Sequence, residues 1–163
     1  MRRAFGPWYL AEVPSYVIVD EFLPVLVARR IGPTSARGVT LLLESVEAHL
    51  TASFEKVAFV YDASDAPGGI PDAGARAFTG QWLRRQRRLL QSKCVGIDFA
   101  FGSPVSRGAL TAVFWIAQPP VPWAIHTTTS DAIVMALERT GLTGRRQPGD
   151  ILGAVTRAVR SAG

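Results

Sequence analysis

The chain has 163 residues, 48% of them hydrophobic, which is the size and apolar content of one domain with a continuous core. A formal net charge of +5, mostly from arginine, bears on association with other molecules and not on fold. The single cysteine, Cys94, excludes an internal disulfide and a cysteine zinc cluster and reads as a buried structural thiol.

At the N-terminus Arg2 and Arg3 are followed by Phe5-Gly6-Pro7 with no apolar run, so no secretory signal is read there. A mean hydropathy of +0.18 prompts a search for a membrane span. The longest apolar stretches, residues 109–117 and 57–60, fall well short of the roughly 18 residues a crossing helix needs. The expectation is a cytoplasmic protein without membrane insertion.

Residues 8–13 and 15–22 are rich in aromatic and β-branched side chains, and Pro14 separates them. They read as two strands joined tightly and therefore antiparallel. Residues 25–28 add a short strand before the break at Gly32-Pro33. From Ser35 to Leu50 the apolar period changes. Val39, Leu42, Leu43, Val46 and Leu50 share one helical face, with Glu44 and Glu47 on the other side. Thr34 or Ser35 can cap this helix by accepting from a free backbone N–H.

Residues 56–62, Lys-Val-Ala-Phe-Val-Tyr-Asp, form a short continuous apolar run, the pattern of a strand covered on both faces. A turn-rich loop follows through Pro67, Gly68, Gly69 and Pro71. Asp72 can cap the next helix, which is predicted to run to about Ser92 with Phe78, Trp82, Leu83, Leu89 and Leu90 inward. Residues 95–101 are predicted as a strand, 106–117 as an almost wholly apolar helix buried between the sheet and solvent-side elements, and 121–126 as a short strand. Residues 129–140 are predicted as a helix that Thr128 or Thr129 can cap and that ends at Gly141, and 148–160 as a last helix with Ile151, Leu152, Val155 and Val159 on one stripe. Alternating helices and strands imply parallel pairing through right-handed crossovers. The predicted class is α/β, a mixed sheet with antiparallel N-terminal strands followed by alternating helices and strands, in a single domain.

This order resembles the STAS domain, the fold of bacterial anti-sigma-factor antagonists and of the cytoplasmic tails of sulfate transporters. The local likeness is the strand over residues 57–61 ending in Asp62-Ala63-Ser64, where family members carry Asp, a small residue, then Ser or Thr. The resemblance implies that Ser64 occupies the position phosphorylated in the antagonists. The stretch Arg107-Gly108-Ala109-Leu110-Thr111-Ala112-Val113-Phe114-Trp115, followed by Pro119-Pro120, is also similar to a STAS-like group of bacterial regulatory proteins. The chain departs from the family after Ser64, where Asp65 stands in place of the usual glycine and the loop is extended.

Two clusters are candidate sites. The first is the loop from Asp62 to Asp72, with Asp62, Ser64, Asp65, Gly68 and Gly69 as a partner-binding surface and Ser64 as its modification site. Gly68-Gly69 before a helix resembles a phosphate cradle, but neither G-x-x-x-x-G-K-[ST] nor G-x-G-x-x-G is present. The second is Arg84, Arg85, Arg87 and Arg88, a basic patch on helix sides opposite or flanking Trp82, suited to phosphate groups or an acidic protein. His49 and His126 show no metal-ligand spacing, and no G-x-S-x-G elbow holds Ser64 as a nucleophile. Asp98 and Asp131 have no partner at acid/base spacing. Trp8, Tyr9 and Trp123 are candidate interface anchors, and exposure of several of Leu110, Val113, Phe114 and Trp115 would mark an interface as well.

The expectation is therefore a non-catalytic regulatory or scaffolding domain, without a cofactor, that binds a protein partner or itself. The alternatives are a nucleic-acid-binding accessory protein using the Arg84–Arg88 patch, and a small-ligand-binding α/β domain with its site at the C-terminal strand ends.

Overall fold

A computed structural model of the chain describes residues 15–66 and 71–163. Among the described residues five strands form one sheet in the order β1-β2-β3-β4-β5. β1 (Tyr16–Val19) runs antiparallel to β2 (Val25–Arg30). From β2 onward β3 (Val57–Asp62), β4 (Cys94–Ala100) and β5 (Trp123–His126) pair in parallel. The mixed α/β sheet read from the sequence is thus present. Residues 8–13, read as the first strand, lie outside the described residues, so the observed antiparallel pair is the next one along.

Because the strand order follows the chain order, the crossover helices collect on one face. These are α1 (Ala36–Ala52), α2 (Ala73–Arg85) with α3 (Arg87–Lys93), and α4 (Pro104–Ile116). The other face is covered by α5 (Thr129–Arg139) and α6 (Pro148–Ala162). Period-two alternation then divides each strand between two cores. Leu26, Ala28, Val57, Phe59 and Ile97 pack under α1 to α4, whereas Val25, Val27, Ala58 and Val60 pack under α5 and α6. This division explains the unbroken apolar runs in β2 and β3, since both faces are buried.

The capping residues act as their chemistry requires. Ser35 accepts from Gly38 N at 3.0 Å and Asp72 from Ala75 N at 2.7 Å. Thr128 accepts from Asp131 N at 3.1 Å at the start of α5. At the other end of α5, Gly141 takes φ +69°, and the bonds Leu142 N to Leu137 O and Gly141 N to Glu138 O close a Schellman turn. Thr34 does not cap, because its hydroxyl accepts from Arg30 Nη1 at 2.9 Å.

Two sequence expectations are corrected. The helix predicted to run from Asp72 to about Ser92 is broken at Gln86, whose φ/ψ of −92°/14° separates α2 from α3. Glu47 of α1 holds that junction, accepting from Gln86 Nε2 at 2.9 Å and Trp82 Nε1 at 3.4 Å, so it faces a neighbouring helix and not open solvent. The apolar helix expected to be buried is largely uncovered: Val105 is 68% and Trp115 85% exposed. Phe114 is its buried anchor, packed against Phe99 and Trp123 with ring centroids 5.1 and 4.7 Å away. The cause is position. α4 crosses from β4 to β5, a four-residue edge strand, and little sheet lies beneath the helix to cover it.

Candidate functional site

The C-terminal ends of β2, β3 and β4 and the start of α5 converge on one polar cluster. Asp62, the last residue of β3, is fully buried, and Arg29 on the neighbouring strand donates to its Oδ2. A buried carboxylate is costly to ionise without such a partner. The other oxygen, Oδ1, accepts from Ser64 N at 3.0 Å and from Ser64 Oγ at 2.8 Å. With its proton committed to Asp62, Ser64 Oγ accepts from Thr129 Oγ1 at 2.9 Å and from Arg29 Nη1 at 3.2 Å. Arg29 uses its second nitrogen, Nη2, to reach the exposed Asp65 at 2.9 Å. Burial alone acts to lower the Arg29 pKa, but the hydrogen bonds and charges of Asp62 and Asp65 outweigh it and hold the guanidinium above its usual value.

Gly102 lets the loops close around this cluster. A Cβ there would lie 2.5 Å from the Ser64 carbonyl oxygen, so the turn after β4 can press against the turn after β3 only without a side chain. In front of the cluster lies an open basin of about 600 Å³ lined by Arg29, Ser64, Asp65, Thr129, Thr156 and Arg160, among others. It sits at the strand C-termini, where open α/β sheets place ligands.

A second buried carboxylate stands one strand away. Asp98 of β4 accepts from Arg139 Nε at 2.9 Å and Nη2 at 3.2 Å, and its Oδ1 lies 3.0 Å from His126 Nε2. Asp98 therefore does have partners, which sequence spacing did not reveal. His126 Nε2 is engaged there and not on Ser64. The serine faces a carboxylate already shared with an arginine, a weaker base than the free imidazole that activates a nucleophilic serine.

Asp62, Ser64 and Asp65 meet around Arg29, while Gly68 and Gly69 lie outside the described residues. Arg84, Arg85, Arg87 and Arg88 are all exposed, and the Arg85 guanidinium lies over the Phe78 ring at 5.7 Å. They do not join the serine cluster. Arg84 is eleven residues along α2 from Ala73, roughly 17 Å at 1.5 Å per residue, toward the opposite end of the sheet. The loop and the arginines are two surfaces. Trp8 and Tyr9 lie outside the described residues. Arg29 went unread in the sequence and Thr129 was read only as an alternative cap of α5, although both are polar residues closing or following apolar strand runs, and that pattern is a usable signal.

Among the described residues no group of three His, Cys, Asp or Glu side chains is arranged to hold a metal, and no helix is long and apolar enough to cross a membrane. Comparison with protein-family models and with curated proteins finds no match to this chain. What fold and geometry establish is an α/β protein with a serine-centred polar cluster at the strand ends.

Proposed function

We propose that the chain is a STAS-like regulatory or scaffolding domain that binds a protein partner or a second copy of itself, with Ser64 as the switch. The observation that carries this reading is the position of the Ser64 hydroxyl. It lies half-exposed at the rim of an open basin, bonded at once to Asp62, Arg29 and Thr129. Phosphorylation there removes the O–H donated to Asp62 and brings about two negative charges beside a buried carboxylate. Arg29 and the first-turn N–H groups of α5 are the groups that can offset that charge. Recruiting Arg29 takes it from Asp65, which frees the Ser64–Asp65 turn and alters the surface a partner reads. The exposed Trp115 supplies an apolar anchor of the kind favoured at interface hot spots.

The test is affinity purification from the native host with wild type, Ser64→Ala and Ser64→Asp, alongside light-scattering measurement of self-association. The expected result is that Ser64→Asp changes the co-purifying proteins or the oligomeric state while Ser64→Ala does not. Identical partners and mass in all three overturn the switch. Trp115→Ala is expected to leave stability within about 0.5 kcal/mol and to weaken the association; unchanged association removes α4 from the interface.

A further inference from the structure

We propose that the space between the sheet and the helices α1, α2 and α4 is a binding cavity for a small neutral aromatic molecule, the size of a single ring. A cavity of about 120 Å³ lies there, bounded by Phe59 and Phe99 on the sheet side, Leu42 and Val46 of α1, Trp82 of α2, and Leu110 of α4. Protein interiors leave few voids larger than a water molecule. Apolar cavities of roughly 150 Å³ stay dry and take up benzene or xenon. The wall is apolar almost throughout. Its polar groups are the hydroxyls of Tyr16, Thr34, Tyr61 and Thr79, with those of Tyr16 and Tyr61 3.3 Å apart. Among the described residues the one charged side chain in the lining is the exposed Arg76, which donates to the Pro71 carbonyl oxygen at 2.6 Å, so the interior of the wall offers no counter-charge and the class is limited to neutral molecules.

A way in is built beside it. Arg76 and Val113 line both this cavity and an open groove of about 590 Å³ between α2 and α4. The groove is floored by Ala77, Gly80, Ala109 and Ala112, so the two helices face each other across small residues with room to separate. α4 is held mainly by Phe114, with Leu110 and Val113 only half-buried, and it can move outward while giving up little packing. The opposite face of the sheet shows no such slackness, because Ala132, Ile133, Ala136 and Leu137 of α5 are all sealed against it.

The experiment uses benzene and phenol as probes on the intact chain, read by thermal unfolding and by methyl NMR. At ten times Kd either probe is expected to raise Tm by roughly 3–5 °C and to shift the methyl signals of Leu110 and Val113. Leu110→Trp, which fills the space, is expected to abolish both effects, and Val113→Phe serves should that variant not fold. Three results overturn the proposal. One is no Tm rise and no shift in the wild type at probe saturation. Another is shifts confined to Ala109 and Ala112 in the outer groove. The third is undiminished binding in the filled variant. Stabilisation by Leu110→Trp without probe binding to the wild type also counts against it, since that marks a packing gap alone.

Discussion

Arg139 crosses the sheet directly over Gly96. A Cβ at position 96 would lie 2.5 Å from Arg139 Cδ and 2.9 Å from the Pro122 carbonyl oxygen, so the absence of a side chain is what lets the arginine stem pass. Its guanidinium then reaches Asp98, one strand residue pair further along the same face and fully buried. A small residue in β4 thus decides whether a charge in β4 has its partner from α5.

Gly96→Ala is expected to displace Arg139 and strip Asp98 of its main counter-charge. Breaking a buried ion pair from one side costs about 3–5 kcal/mol, and urea unfolding should show a loss of that order. Arg139→Met should show a similar loss. Because both act on one interaction, the double variant should be little worse than Arg139→Met alone. Additive losses would show that the crowding at Gly96 acts through Pro122 instead.

The two carboxylates that Arg29 bridges differ in burial, and their removal should differ accordingly. Arg29→Ala leaves Asp62 buried and without its cation, with an expected loss of about 3–5 kcal/mol. Asp65 has a side chain 81% exposed, so Asp65→Ala is expected to cost under about 1 kcal/mol. Chemical denaturation of both variants checks the contrast. Equal losses would mean that Arg29 is held chiefly from the solvent side.

Alkaline pH should destabilise the fold through two buried acids. Burial pushes the Cys94 thiol up from 9.0 to about 11, only partly offset by backbone hydrogen bonds at Gly96 and Phe59. Burial and the neighbouring Tyr16 hold the Tyr61 phenol well above its ordinary range. Both groups keep their protons more tightly folded than unfolded. Their contribution is therefore complete below pH 9 and is lost as pH rises toward about 11 and beyond. Stability followed between those limits should fall, and Cys94→Val should flatten part of the slope. Native Cys94 should also stay inert to a thiol reagent at pH 8 and react at once in denaturant. Rapid reaction in the native state would place the thiol nearer solvent than its 3% exposure.

Much of the fold was legible because local chemistry wrote it. The heptad-like spacing of Val39, Leu42, Val46 and Leu50 defines the buried face of α1, and Ser35, Asp72 and Thr128 are its and its neighbours' caps. The run Val-Ala-Phe-Val in β3 could be read as covered on both faces, which it is. Ser64 and Asp62 were readable as neighbours because both stand in one short turn. Burial of α4 was misjudged for a reason of the same kind: composition reports what a helix prefers to touch, not whether any sheet lies under it.

Sequence alone determined the α/β class, the mixed sheet and most of the elements, since periodicity, caps and turn residues act within a few positions of one another. Tertiary structure alone decided the charges and the empty space. Arg29 meets Ser64 from 35 residues away, Thr129 meets it from 65, and Arg139 meets Asp98 from 41. Those distances close only when parallel strands bring their C-terminal ends together beneath α5. The space between the sheet and α1, α2 and α4 likewise depends on how several helices settle on one sheet face, and no local pattern encodes that fit.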